Sequence, residues 1–284
     1  MDKLSAIKKV SDELIIRNFS ERTIESYTLH LRYFLDYINE IPQKVNVAQI
    51  KEYILYLTTE KKFSSSTINS VYSAIQFYFE KCLGQPWSHG EIGRPKVHNR
   101  LPEILSQDEI QLLISKINNL KHKAMISLIY SSGIRLAEFL NLTIKDIDSK
   151  QMYVVVRQGK GKRDRTTLLS NACLDLLRTY YLKYHPVKYL FNGAGAESQY
   201  SETSIRKVLT KAVKNAGIKK RITIHTLRHS FATHLLENGT NLYYIKELLG
   251  HKSIKSTLIY LHLCSKDIKK IENPLDKLFE NGLQ

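Results

Sequence analysis

Gly84-Gln85-Pro86-Trp87-Ser88-His89-Gly90-Glu91-Ile92-Gly93-Arg94-Pro95-Lys96, running on to Pro102, is where the chain changes character. Three of its six prolines and three of its twelve glycines fall in this stretch. At that density they interrupt any helical or strand period, and Arg94, Lys96 and Arg100 keep the stretch solvated. Residues 85–104 therefore read as a basic linker between a domain at 1–84 and a second at 105–284. A 284-residue chain also exceeds what one core usually supports.

Upstream of the linker the apolar period is helical. After Ser20, a good N-cap, come Ile24, Tyr27, Leu31, Phe34, Leu35 and Ile38. Ile50, Ile54 and Leu57 make a stripe in 47–57, and a helix after Ser64-Ser65-Ser66 buries Ile68, Val71, Ile75, Phe79 and Cys82. With a shorter helix near 5–16 the expectation is an all-α bundle. Downstream, Ser106-Gln107-Asp108-Glu109 is a capped start. It predicts helices at 107–118, 121–132 and 136–142, with Gly133 as the break. The valine-rich 151–157, the turn Gly159-Lys160-Gly161-Lys162-Arg163-Asp164 and the stretch 165–169 read as a β-hairpin. Helices follow at 171–184, 202–216, 226–238, 241–249 and 254–263, then a tail. The fold class is mainly α with a small antiparallel sheet: an all-α bundle plus an α+β domain.

Charge narrows the partner. The chain carries 43 Lys+Arg against 27 Asp+Glu, a net of +16. Residues 1–84 hold 11 basic and 10 acidic side chains, whereas 85–284 hold 32 and 17. Such asymmetry points to a polyanion, either nucleic acid or an anionic membrane surface. No apolar run is long enough to span a bilayer, and the first residues lack a signal-peptide pattern, so the expectation is cytoplasmic. Cys82, Cys173 and Cys264 are too few and too scattered for a disulfide framework or a structural zinc site.

Cutting a phosphodiester without a metal needs cations for the phosphoryl oxygens, a nucleophile, and a proton donor for the departing ribose oxygen. No acidic cluster suggests a two-metal site, while Arg, Lys, His and Tyr candidates abound. His225 and Arg228 lie one turn apart at a helix start, where an anion is already favoured. His225, His229 and His234 share helical spacing but lack a completing cysteine or carboxylate, and His234 falls on the core stripe. Gly239 and Gly250 read as helix stops, with His251 emerging directly after the second.

Ser132-Gly133-Ile134-Arg135-Leu136-Ala137-Glu138, His225-Thr226-Leu227-Arg228-His229 and Leu248-Leu249-Gly250-His251 occur in that order, with Tyr260 nine residues after His251. In sequence, spacing and order these segments resemble the tyrosine recombinase (phage integrase) family, most closely its Xer branch. The resemblance covers nearly the whole chain and makes 1–84 a DNA-clamping core-binding domain. It implies a catalytic set of Arg135, Lys160, His225, Arg228, His251 and the nucleophile Tyr260, with Glu138 orienting Arg135. Lys160 is the implied proton donor to the 5′-oxygen, and Lys162 is its competitor at the same turn. The implied reaction is transesterification through a 3′-phosphotyrosyl link, with no cofactor and no metal. A phenol of pKa near 10 is a poor nucleophile, and surrounding cations should ease its deprotonation.

The implied partners are a double-stranded DNA recombination site, a tetramer on two such sites, a second recombinase or a DNA translocase, and no membrane. The tail stripe of Ile268, Ile271, Leu275, Leu278 and Phe279 docks either on a neighbouring protomer or on its own domain. Within the same chemistry, chromosome or plasmid dimer resolution stands beside integration of a phage, plasmid or transposon. A type IB topoisomerase-like DNA-relaxing enzyme and a non-catalytic DNA-binding protein are more distant alternatives.

Overall fold

The computed structural model describes residues 2–40, 44–87, 93–96, 101–157, 164–195 and 197–264. Lys160, Lys162 and the tail from 265 onward lie outside the described residues. The chain forms two compact units, 1–99 and 100–284.

The first unit contains α1 (Lys3–Ile16), α2 (Glu21–Ile38), α3 (Val47–Thr59) and α4 (Ser65–Phe77), the last extended by a π-helical turn, Tyr78–Cys82. Leu31, Phe34, Leu35, Tyr72, Ile75 and Tyr78 fill its interior. Trp87, within the stretch read as linker, is buried here too, and its indole donates a 2.6 Å hydrogen bond to the Tyr72 hydroxyl. A tryptophan brings enough apolar area to keep the first turns after Gly84 on the bundle.

The second unit opens with α5 (Gln107–Ser115), α6 (Leu120–Ser132) and α7 (Leu136–Leu140). A three-stranded antiparallel sheet follows, in the order β1 (Ile147–Asp148), β2 (Tyr153–Val156) and β3 (Arg165–Leu168), with Val154 opposite Thr167. Then come α8 (Asn171–Tyr184), α9 (Glu202–Asn215), α10 (Ile224–Glu237) and α11 (Leu242–Leu249). The hairpin's strands are as expected, but β1 was not foreseen, because two residues are too short to show a period. Helix α6 buries Ala124, Met125, Ile126, Leu128 and Ile129 on all sides, as a helix through the middle of a core must.

Among the described residues, ten of eleven α-helices begin at Asp, Ser, Asn or Thr with a side chain accepting a backbone N–H. The exception is α7, whose N-cap is Arg135. The helix expected over 254–263 is instead two 3₁₀ turns, Ile254–Ser256 and Leu258–His262. Their bonds run three residues back, from Thr257 N–H to Ile254 O (2.8 Å) and from Tyr260 N–H to Thr257 O (3.1 Å). The reason is local: the Thr257 hydroxyl is held by His251, and β-branched Ile254, Thr257 and Ile259 favour an α-helix less.

Gly133 ends α6 in the left-handed region, at φ +59°. A Cβ there would lie 2.3 Å from Phe231 Cδ1, so no larger residue fits without displacing the Phe231 ring. Gly133→Ala should cost about 2–3 kcal/mol from backbone strain plus overlap, read as a lowered urea midpoint at unchanged slope.

Candidate active site

The second unit gathers three arginines on one helix end. Helix α11 stops at Gly250, which takes φ +63°, leaving its last carbonyls without intrahelical partners. Arg165 Nε donates to Leu248 O at 3.0 Å, Arg228 Nη2 to Leu249 O at 2.6 Å, and Arg135 Nη2 to Gly250 O at 3.0 Å. Three successive carbonyls are thus each met by a different guanidinium, at the end of the helix where cations are favoured. Arg228 Nη1 also reaches Gly133 O at 2.6 Å, tying α10 to the α6–α7 corner. Gly250 is required again here, since a Cβ would meet Arg165 Cδ at 2.7 Å.

One carboxylate balances this cluster. Glu138 accepts from Arg165 on both oxygens, at 2.9 and 2.7 Å, from Arg135 Nη1 at 2.8 Å, and from the Arg135 backbone N–H at 2.9 Å. Burial alone would raise its pKa, but hydrogen bonds and charge from Arg165 and then Arg135 outweigh this and hold it at about 2. Among the described residues the ion pairs of Arg135 and Arg165 both end on Glu138, and the hydrogen bonds of Arg228 go to carbonyls. Burial, then the Arg135 charge, pull Arg228 down to about 9, so it stays cationic at neutral pH. Three cations against one anion leave the site needing a further negative group.

The remaining candidates line the same place. His225 is the second residue of α10, after the Thr223 N-cap, and burial and the Arg228 charge lower its pKa. His251 follows Gly250 and bonds through Nδ1 to the buried Thr257 hydroxyl at 2.9 Å. Burial, then Arg228 and Arg135, lower it to about 4. Tyr260, 1% exposed, lies on the second 3₁₀ turn with its ring nearly parallel to His251, 6.3 Å between centroids. It packs with Phe231, Ala232, Ile245 and Leu249, a small cluster shared by α10 and α11. The Arg228 and Arg135 charges ease its ionisation as expected, but burial raises its pKa by more than they lower it.

Arg135, Glu138, His225, Arg228, His251 and Tyr260 are therefore gathered around the end of α11, while Lys160 lies outside the described residues. His234 is buried and bonds the Tyr130 hydroxyl through Nδ1 at 2.9 Å, a packed position in line with its place on the core stripe. Sequence reasoning missed two members. Arg165 reads from sequence only as the start of a strand, although strand alternation places it on the same face as buried Thr167. His229 was noted without a role, yet its Nδ1 lies 3.2 Å from the Tyr260 hydroxyl.

Comparison with known proteins agrees with this arrangement. The phage integrase family matches residues 103–266, and the phage integrase N-terminal SAM-like domain matches residues 7–89. A putative integrase/recombinase of Sinorhizobium fredii is 34% identical over 95% of this chain and 88% of its own length. Tyrosine recombinase XerA of Pyrococcus horikoshii is 29% identical over 93% of this chain and 91% of its own. The crystal structure of XerH site-specific recombinase bound to palindromic difH substrate shares the fold at TM-score 0.74 and 22% identity, covering 93% and 82%. This chain belongs to the phage integrase family. It is a tyrosine recombinase, an enzyme of site-specific DNA strand exchange, and resembles the Xer-named members. Among the described residues no helix is long and apolar enough to cross a membrane.

The Glu138 carboxyl has a pKa of about 2 when folded and an ordinary 4.5 when free. Its stabilisation is fully present above pH 4.5 and is lost as pH falls through 2. Glu138→Gln should cost the catalytic unit about 3 kcal/mol at pH 7, and wild type and variant should converge as pH approaches 2. Denaturant midpoints compared across that range test it.

Proposed function

We propose that Tyr260 attacks a DNA phosphate held by Arg135 and Arg228, with His225 and His251 as further donors, giving a 3′-phosphotyrosyl link and a free 5′-hydroxyl. The 5′-hydroxyl of a partner strand then reverses the step, so bond energy is kept in the protein–DNA link. What carries this reading is the net positive, half-buried cluster at the end of α11 with the Tyr260 hydroxyl inside it. Each guanidinium has five N–H donors, and those beyond its carbonyl and Glu138 bonds suit phosphoryl oxygens. Glu138 orients Arg135 and neutralises one charge of the cluster. The family resemblance alone supports Lys160 as the donor to the leaving 5′-oxygen.

The first unit adds sequence-independent phosphate contacts. The starts of α2 and α4 border an open cleft of about 500 Å³ lined by Ser20, Arg22, Ser66, Ser70 and Arg94. Hydroxyls, two guanidinium groups and backbone N–H groups at helix starts suit a DNA backbone.

The role we favour is Xer-type resolution of chromosome or plasmid dimers in the cytoplasm, tied to chromosome segregation and cell division. It is carried out by a tetramer on two DNA sites, with the tail beyond residue 264 docking on a neighbouring protomer and a second recombinase or a translocase as partner. Integration of a mobile element is the second reading, favoured by the integrase/recombinase relative in Sinorhizobium fredii. Mapping covalent protein–DNA junctions on genomic DNA separates the two: one chromosomal or plasmid-borne site supports resolution, and junctions at the ends of a mobile element support integration.

Tyr260→Phe should abolish the covalent adduct on a nicked suicide substrate while leaving DNA affinity unchanged; an adduct that persists would refute the nucleophile. Arg22→Ala with Arg94→Ala should weaken binding about equally on all sequences and reduce the slope of log affinity against log salt by about 2.

A further inference from the structure

Attack by Tyr260 needs somewhere for the phenolic proton to go. Burial keeps the hydroxyl protonated at neutral pH, and Arg228 and Arg135 do not reverse this. A tyrosinate formed in advance is therefore not available. The proton must leave as the oxygen attacks, to a group already in contact with it. That contact is His229, whose Nδ1 lies 3.2 Å from the Tyr260 hydroxyl, the two rings 5.8 Å apart and tilted by 51°.

The other imidazoles are placed for different work. His251 spends its Nδ1 on the Thr257 hydroxyl and lies with its ring parallel to that of Tyr260. His225, one turn before His229 on α10, faces the charges of Arg228, Arg206 and Arg135, where an incoming phosphate would sit. His229 shares the helix with both Arg228 and His225, but its Nδ1 is turned to the tyrosine.

We propose that His229 Nδ1 takes the Tyr260 proton during strand cleavage and returns it during rejoining. This rests on Tyr260 being the nucleophile. In cleavage the Nδ1 lone pair takes the proton, the Tyr260 oxygen bonds to phosphorus, and the bond from phosphorus to the 5′-oxygen breaks. The 5′-oxygen leaves with a proton from the donor assigned to Lys160. In rejoining a 5′-hydroxyl attacks phosphorus and gives its proton back to the donor assigned to Lys160, the phosphorus–tyrosine bond breaks, and the departing oxygen recovers its proton from His229.

The surroundings make this acceptor dependent on substrate. Burial, then His225 and Arg228, lower His229 to about 4, so it is neutral and its lone pair is available at pH 7. In the empty site it is also a weak base, chiefly because it is buried, with His225 and then the Arg228 charge adding to this. A DNA phosphate seated on Arg228 cancels that charge and strengthens the base at the moment the nucleophile has a target. Tyr260 is thereby kept from ionising until DNA is bound.

The test uses the full chain and a nicked suicide duplex, following the single-turnover rate of covalent adduct formation. His229→Asn keeps a polar atom near the Nδ1 position without its basicity; His229→Ala leaves room for added imidazole. Both should lose about 100-fold or more in rate with DNA affinity and melting temperature near wild type, and imidazole should speed His229→Ala but not His229→Asn. A duplex with sulfur at the 5′-bridging position has a leaving group that needs no proton, and on it the deficit should persist. A wild-type rate in His229→Asn would reduce His229 to a positioning residue and overturn the proposal. So would a deficit that vanishes on the sulfur duplex, which would place His229 on the leaving side, or a loss with no response to imidazole. If wild type forms no adduct, or Tyr260→Phe still forms one, the assignment of Tyr260 fails instead.

Discussion

The catalytic unit depends on how one helix end is satisfied. Helix α11 could have finished, as many helices do, with its last carbonyls in water or on backbone N–H groups. Instead Leu248, Leu249 and Gly250 each present a carbonyl to a different arginine, from β3, α10 and the start of α7. These elements are far apart in sequence, and neither the sheet nor the main core alone brings them together. A neutral donor set would satisfy the same carbonyls, so the use of three full charges has a second purpose. Glu138 answers part of that charge, and its two oxygens fix Arg135 and Arg165 relative to one another. What is left is a cluster with excess positive charge, built from groups already held in place by hydrogen bonds.

Burial is the largest cause of the shift at His225, His229, His251, Arg228 and Tyr260; neighbouring cations add to it at the histidines and oppose it at Tyr260. It lowers His225, His229 and His251, raises Tyr260 and depresses even Arg228. Glu138 alone goes the other way, because two guanidinium groups hold it directly. The empty site is thus a set of groups in their neutral or least reactive forms around a few fixed cations. Bound phosphate adds the negative charge that each histidine and each arginine lacks.

Much of this was legible from residue order. Helix starts could be read because ten of the eleven N-caps among the described residues are Asp, Ser, Asn or Thr, whose short side chains reach back to the first N–H groups. Arg135, which no rule of propensity would choose as a cap, was legible only through the family resemblance of its segment and is at the centre of the cluster. The 3₁₀ turns around Tyr260 were not legible, since apolar spacing over ten residues cannot separate three residues per turn from 3.6. Nor was the pairing of Arg165 with Glu138, which depends on β3 lying beside α11, a tertiary fact. The easing of Tyr260 ionisation by nearby cations was legible, because charge can be read from a sequence; the larger, opposing effect of burial was not.

The arginines that cap α11 have a consequence for how any variant of this enzyme is interpreted. Each is committed twice, once to a helix end and once to the charge of the cluster. Replacing Arg135 or Arg228 by a neutral residue removes a positive group and also strands a carbonyl, worth about 1–3 kcal/mol if it stays dry. Catalytic loss and local unfolding would arrive together, and the slackened helix end would carry His251 with it. Neutral drift is closed to these positions: a descendant that abandons strand exchange cannot shed the arginines without first finding another way to finish the helix.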